Sequence, residues 1–278
     1  MGATRKFTVG RLITYIFLVA MAVFFVGPLL FTIVSSFKNN TEIFANPFGL
    51  PAVFKIENWQ VAWRDAHMST YLVNSLLYSI IGVALILFIG SMVSYVLSRF
   101  NFRFNKWLSM FFLMGMMIPM HTIIVPVAWI IGSFDMKNNI PALIALYVAF
   151  AMPFTTAVLT NFMTTIPAEM EEAAILDGAS YFQIYRKVIL PMTGPGLSTV
   201  AIFNFLSIWN DVLFPLLLLN DNKLKTVALG LLNFNGERGS EYGPLMAAIS
   251  ITMLVPFGIY LIFQEKIENG IASGAVKG

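Results

Sequence analysis

Six long apolar runs separated by short polar stretches dominate this chain, at roughly 12–36, 70–98, 107–132, 140–163, 191–219 and 244–264. A helix rises about 1.5 Å per residue, so about 20 apolar residues match the hydrocarbon layer of a bilayer. Each run meets that length. In water, runs of this kind would leave large apolar patches exposed. Only 11% of the 278 residues are charged and 58% are hydrophobic, with a mean hydropathy of +0.78. A soluble domain carries about 25% charge. The expectation is an all-α polytopic membrane protein with six transmembrane helices, since a helix satisfies its own backbone in lipid. The run 191–219 is long enough to tilt or break. The first run follows Arg5, Lys6 and Arg11 and exceeds a signal-peptide apolar core, so it reads as a retained span.

Composition also excludes several chemistries. Cysteine is absent, which removes disulfides and thiol catalysis, and the two histidines, His67 and His121, have no metal-site spacing. His121, between Pro119 and Pro126, reads as an interior hydrogen-bonded residue. The net charge of +3 is too small to argue for nucleic acid. Lysine and arginine favour the cytoplasmic side. With the N-terminus inside, ten positive residues fall inside and seven outside, and the short loop Arg99–Lys106 carries three with no acid. Both termini are then cytoplasmic.

Proline punctuates the runs at Pro28, Pro119, Pro126, Pro153, Pro215 and Pro256, each able to kink a helix. The outer segment from Phe37 to Ser69 reads either as a packed loop or as a docking surface for an external protein.

The stretch Ile166–Pro191 holds Glu169, Glu171, Glu172, Asp177, Arg186 and Lys187. At mid-bilayer each charge costs roughly 2.5–3.5 kcal/mol, on the order of 15–20 kcal/mol together, so this stretch stays in water. It is nonetheless patterned for order. Pro167 suits a first helical turn, and the three glutamates favour a helix N-terminus. Gly178 is suited to end that helix, and Ser180 and Gln183 have capping-box spacing for a second one, which Pro191 limits. Two short helices bent at Gly178 are expected. Ala173 and Ala174 would let another surface come close. From the residues alone, the stretch is either a solvated amphipathic loop or a docking surface.

Glu172-Ala173-Ala174, then Asp177-Gly178-Ala179, then Ile189-Leu190-Pro191 resembles the EAA loop of binding-protein-dependent ABC importer permeases. Ser36-Phe37-Lys38, Asn74-Ser75-Leu76, Met152-Pro153-Phe154, Trp209-Asn210-Asp211 and the ending Gly274–Gly278 resemble the carbohydrate branch of that family, of the maltose type. The resemblance implies a type I ABC importer permease fold and a place in a bacterial-type inner membrane. It implies an N-terminal part over 1–69, a transmembrane domain over 70–265 with a coupling loop at 165–190, and a cytoplasmic tail over 266–278. It implies ATPase coupling by Glu171, Glu172, Ala173, Ala174, Asp177 and Gly178. The implied partners are a homologous permease, two ATPase subunits, an extracytoplasmic solute-binding protein, a sugar and the lipid bilayer. The chain lacks a G-x-x-x-x-G-K-[ST] phosphate loop, so ATP and Mg are expected on the ATPase and no cofactor on this chain. A permease for a polyol, glycerol phosphate or amino acid is the alternative cargo reading. An ATP-independent channel or carrier is the more distant one.

Asp211 is the one acid placed inside an apolar run, about 30 Å along a continuous helix from Pro191. With Asn204, Trp209 and Asn210 it offers hydrogen bonds and a ring face, as a sugar pathway requires. The other reading is that Asp211 caps or pairs a helix.

Overall fold

In this computed structural model, residues 9–234 and 241–275 are described. Arg5, Lys6, Arg238 and residues 276–278 of the C-terminal motif lie outside them. In chain order the helices are α1 (Val9–Ser35), α2 (Asn40–Ala45), α3 (Glu57–Gln60), α4 (Met68–Arg99), α5 (Asn105–Gly115), α6 (Ile124–Ser133), α7 (Ile140–Thr164), α8 (Glu169–Leu176), α9 (Tyr181–Ile184), α10 (Leu190–Met192), α11 (Gly194–Trp209), α12 (Leu213–Leu218), α13 (Val227–Asn233) and α14 (Tyr242–Ala275). No strand occurs among the described residues.

Four helices, α1, α4, α7 and α14, are each long and apolar enough to cross a bilayer unbroken. The third and fifth expected spans are discontinuous. The third turns by 90° between Gly115 and Met120, just where Pro119 removes a backbone donor. The fifth bends by 75° at Thr193 and breaks again between Trp209 and Leu213. Up to six spans result, the fifth supplied mainly by Gly194–Trp209 and the third by the pair around Pro119. Pro28, Pro153 and Pro256 lie within continuous helices, whereas Pro126 and Pro215 sit in the first turns of α6 and α12. The helical stretch containing Arg186 and Lys187 does not stop at Pro191. It passes through a π turn at Tyr185–Ile189 and ends at Met192. A π turn widens the helix upstream, where the proline ring would otherwise meet the carbonyl four residues back.

The chain divides into two compact units: residues 1–69 with 231–255, and residues 70–230 with 256–278. The first unit is built around Ser36-Phe37-Lys38. Phe37 stacks on Trp59, with ring centroids 5.6 Å apart, and meets Phe54 edge-on. Trp59 donates to the Ser36 hydroxyl, and Asn58 donates to the carbonyls of Ser36 and Lys38. Lys38 is buried, and its ammonium donates to the carbonyls of Asn46 and Pro47, satisfying the end of α2. Gly243 has no room for a side chain: a Cβ there would lie 2.6 Å from the Lys38 carbonyl. The start of the Phe37–Ser69 segment is therefore packed, while Phe44, Phe48, Leu50 and Val53 stay exposed. None of the most apolar window of α1 is buried within the chain.

The second unit holds a core of Tyr78, Ile86, Leu143, Tyr147, Ile208, Phe214 and Leu218, drawn from α4, α7, α11 and α12. Gly90 lets α4 approach α7, since a Cβ there would lie 2.4 Å from the Thr155 methyl. Asn74-Ser75 also has a structural use. Asn74 donates to the carbonyls of Lys223 and Lys225, and Ser75 accepts from the Val227 amide, fixing the loop between α12 and α13 onto α4. His121 is exposed in a 3-10 turn rather than interior.

Candidate functional site

The segment after α7 folds as two short helices, and local rules account for its shape. α8 begins with Glu169, Glu171 and Glu172 in its first turn. It ends in a Schellman motif: the Ala179 amide donates to the Ala174 carbonyl and the Gly178 amide to the Ile175 carbonyl, at 3.0 and 2.9 Å. Gly178 takes φ +80°, which that motif demands and side chains resist. Ser180 and Gln183 form the expected capping box at the start of α9.

The segment is fastened to the helix ends around it. Tyr95 of α4, Met163 of α7, Ile166, Ile184, Tyr185 and Ile189 make a small core, with Ala174 and Ala179 packed on it. The Tyr185 hydroxyl lies 2.8 Å from the Ser91 hydroxyl of α4. Glu171 turns inward and pairs with Arg99 at the end of α4, and Arg99 also donates to the Ile166 carbonyl at 2.9 Å. Burial pushes the Glu171 carboxyl above its ordinary range, against the opposing pull of Arg99. Arg99 was not singled out by sequence, because it lies on a different helix from its partner; its place closing a positively charged loop was the available signal.

The six candidate coupling residues thus separate. Glu171 and Ala174 face the small core, while Glu172, Ala173, Asp177 and Gly178 are exposed. Beside them stand apolar side chains that sequence reasoning passed over: Leu176 is 88% exposed, with Phe182, Ile175 and Met170 also open. An open apolar cluster flanked by acids thus stands in a segment too charged for lipid.

A second site lies at the broken spans. A cavity of about 430 Å³ is bordered by Met116 and Ile118 from the break after α5, and by Asp211 from the break after α11. Irregular backbone at membrane depth is tolerated where it lines a cavity or is covered by protein. Asn204, Ser207 and Ile208 line the same cavity, being one α11 face at helical spacing with Asp211. Trp209 and Asn210 are not on that face. Trp209 is buried and stacks on Phe205, and Asn210 is exposed and returns its amide to the Leu206 carbonyl. Asn204 donates to Thr155 Oγ1 and to the Val200 carbonyl. Asp211 accepts from the amides of Leu213 and Phe214, at 3.0 and 3.3 Å, and so caps α12. The expected 30 Å of continuous helix from Pro191 does not exist, because the bend at Thr193 interrupts it.

No group of three or more potential metal ligands occurs among the described residues.

Comparison with known proteins matches this architecture. Residues 86–273 match the family described as "Binding-protein-dependent transport system inner membrane component". The chain is 35% identical to the diacetylchitobiose uptake system permease protein NgcG of Streptomyces coelicolor, over 95% of this chain and 88% of that protein. It is 33% identical to the trehalose transport system permease protein SugB of Mycobacterium tuberculosis, over 82% of this chain and 84% of that one. In fold it is similar to a chain of a bacterial ABC transporter involved in import of the acidic polysaccharide alginate. The TM-score is 0.81 at 18% identity, covering 94% of this chain and 99% of the other. The chain, a multi-pass helical membrane protein, belongs to the binding-protein-dependent transport system inner membrane component family.

Proposed function

We propose that this chain is the permease subunit of an ATP-driven importer for a sugar or oligosaccharide, with residues 169–192 as the seat of a separate ATPase. The observation that carries this reading is the state of that segment. It is ordered, capped at the α8–α9 corner and fastened to α4 and α7, yet it presents Leu176, Phe182 and the exposed acids Glu172 and Asp177 to water. A surface that is rigid toward the membrane helices and open on its other side can pass motion from one to the other. The names of the similar permeases, for diacetylchitobiose and trehalose, support a carbohydrate cargo.

The assembly comprises a homologous permease, two ATPases that bind ATP and Mg, and an extracytoplasmic solute-binding protein that delivers the sugar. Both termini and the 169–192 segment face the cytoplasm. ATP binding draws the ATPases together, moves the two fastened segments, and rocks the permease pair between inward- and outward-facing states. No bond in the sugar changes on this chain. The pathway residues are Asn204 and Asp211, with Trp209 and Asn210 holding α11 and its end in place.

Purifying the chain from its own membrane and assaying uptake in a strain lacking it tests this. Co-purification of an ATPase and loss of uptake of a neutral oligosaccharide are expected. Transport by the chain without an ATPase contradicts the mechanism, and sugar uptake unaltered by the deletion contradicts the cargo.

A further inference from the structure

We propose that residues 43–54 of the outer loop lie in the headgroup–acyl boundary of the bilayer, with Phe44, Phe48, Leu50 and Val53 immersed in lipid beside the end of α1. The proposal goes beyond the importer reading and uses it only to name the leaflet as the extracytoplasmic one.

These residues are arranged with polar groups inward and apolar side chains outward. None of them is charged. Phe48 is 92% exposed and Leu50 79%, with Phe44, Val53 and Phe54 also open. The charges that serve this stretch come from just before it and are spent on its backbone. The buried Lys38 ammonium donates to the carbonyls of Asn46 and Pro47, at 2.9 and 3.1 Å. The Glu42 carboxylate accepts from the Ala52 amide at 3.0 Å. The Asn46 side-chain oxygen accepts from the Gly49 amide, and the Asn46 amide donates to the Glu42 carbonyl. Water would solvate these groups without help. In lipid, irregular backbone is tolerated only where protein satisfies it.

Two ring contacts set the depth. Phe48 lies against Phe31 of α1, with ring centroids 6.2 Å apart. Phe31 stands one turn inside the end of α1 at Ser35, about 6 Å along the helix axis. Phe44 meets Tyr242 edge-on at 5.2 Å, and Tyr242 opens α14. Both α1 and α14 are long and apolar enough to span a bilayer. Interfacial segments sink their apolar face about 5–10 Å into the same boundary, where aromatic side chains are favoured. The exposed patch therefore continues the apolar surface of a spanning helix below its end. An external protein would approach from the water above that end, so the position favours lipid as the occupant.

The chain has no cysteine, so single nitroxide labels can be placed at Phe48→Cys, Leu50→Cys and, in the exposed turn before α13, Asn222→Cys. The complex with cysteine-free partner permease and ATPases is reconstituted in phosphatidylcholine–phosphatidylglycerol vesicles without the binding protein. Power-saturation EPR then compares collision with oxygen, which concentrates in lipid, and with a neutral nickel chelate, which stays in water. The oxygen-to-nickel ratio at Phe48→Cys and Leu50→Cys is expected to exceed that at Asn222→Cys about threefold or more, as for a segment sunk in the boundary. Leu50→Cys keeps the test open should Phe48→Cys fail to assemble. A ratio no higher than at Asn222→Cys puts the loop in water, open to an external protein, and overturns the proposal. Low collision with both reagents puts a protein such as the partner permease over the patch, and overturns it too. Neither result bears on the cargo or on the ATPase seat, which the uptake and co-purification assays test separately.

Discussion

The 169–192 segment and the cavity at Asp211 differ in where they place charged and apolar side chains. In the segment, backbone groups at both helix boundaries are satisfied locally, and apolar side chains such as Leu176 are left facing water. In the cavity, the one carboxylate, Asp211, is held by the amides of Leu213 and Phe214 beside Tyr147, among apolar walls that include Met116 and Phe203. The segment leaves apolar side chains open where its charges keep it in water; the cavity keeps a carboxylate among apolar walls. The two regions fail differently when altered, and that difference can be measured.

The largest effect is expected from Gly178→Pro. Proline cannot adopt φ +80° and removes the amide that bonds Ile175, a cost of about 3 kcal/mol or more. The α8–α9 corner should open, with ATPase co-purification and sugar uptake both falling more than tenfold while the chain still inserts in the membrane. Normal ATPase retention in this variant would break the contrast at its first side. Next is Asp211→Ala, which removes the α12 cap at about 0.5–2 kcal/mol as well as the carboxylate. Asp211→Asn keeps capping ability. Uptake should fall in both, with thermal stability lost chiefly in the alanine variant. Equal stability loss in both would reduce Asp211 to a charge that structure alone requires.

A smaller effect on uptake is expected from Arg99→Ala, about 1–3 kcal/mol in stability, because the largely buried Glu171 carboxylate loses its partner. It should lower the sugar carried per ATP hydrolysed more than it lowers ATPase binding, since Arg99 joins α8 to the ends of α4 and α7. Glu171→Gln in the same chain should restore part of the stability by removing the unpaired charge. A double variant worse than the sum of the two singles would refute that pairing.

The smallest effect is in pH dependence. The folded-state carboxyl of Glu171 is raised, so the folded state binds its proton more tightly than the unfolded chain. Its contribution to stability is full below the unfolded value of about 4.3 and declines as pH rises through the folded value. Glu171→Gln should flatten the thermal-stability profile in that acid window, as read by scanning fluorimetry of the complex in detergent. An identical profile in wild type and variant would remove Glu171 as the titrating group.

The two regions were also unequally legible in the sequence. The segment is written in rules that act over four or five residues. The charges exclude lipid, glycine fits the left-handed turn, and Ser180 and Gln183 cap reciprocally. What could not be read there was long-range: Glu171 meets Arg99 across a helix, and which residues stay uncovered depends on how α8 packs on Tyr95 and Met163. The cavity is mostly long-range. Asp211 stood out as an acid in an apolar run, and Asn204 shares its helical face. Trp209 and Asn210 sit on other faces of α11, a consequence of the 3.6-residue repeat that counting neighbours in sequence overlooks. Pro119 signalled that the third span could break, but proline equally occupies unbroken α7 at Pro153. Only packing decides which proline turns the chain. The candidate spans followed from length and hydropathy, and a break in the fifth was foreseen from its length; the places of the two bends were not.

The central claim is that a partner protein covers Leu176 from the cytoplasm. The chain contains no cysteine, so Leu176→Cys introduces a single thiol at an open position. Phe48→Cys, 92% exposed in the outer loop, is the companion. With a maleimide–aryl azide reagent on the native complex in inverted membrane vesicles, the account predicts an ATPase adduct from Leu176→Cys whose yield changes when ATP is bound, and none from Phe48→Cys. Absence of that adduct, or labelling of Leu176→Cys by a membrane-impermeant maleimide applied to intact cells, would contradict it.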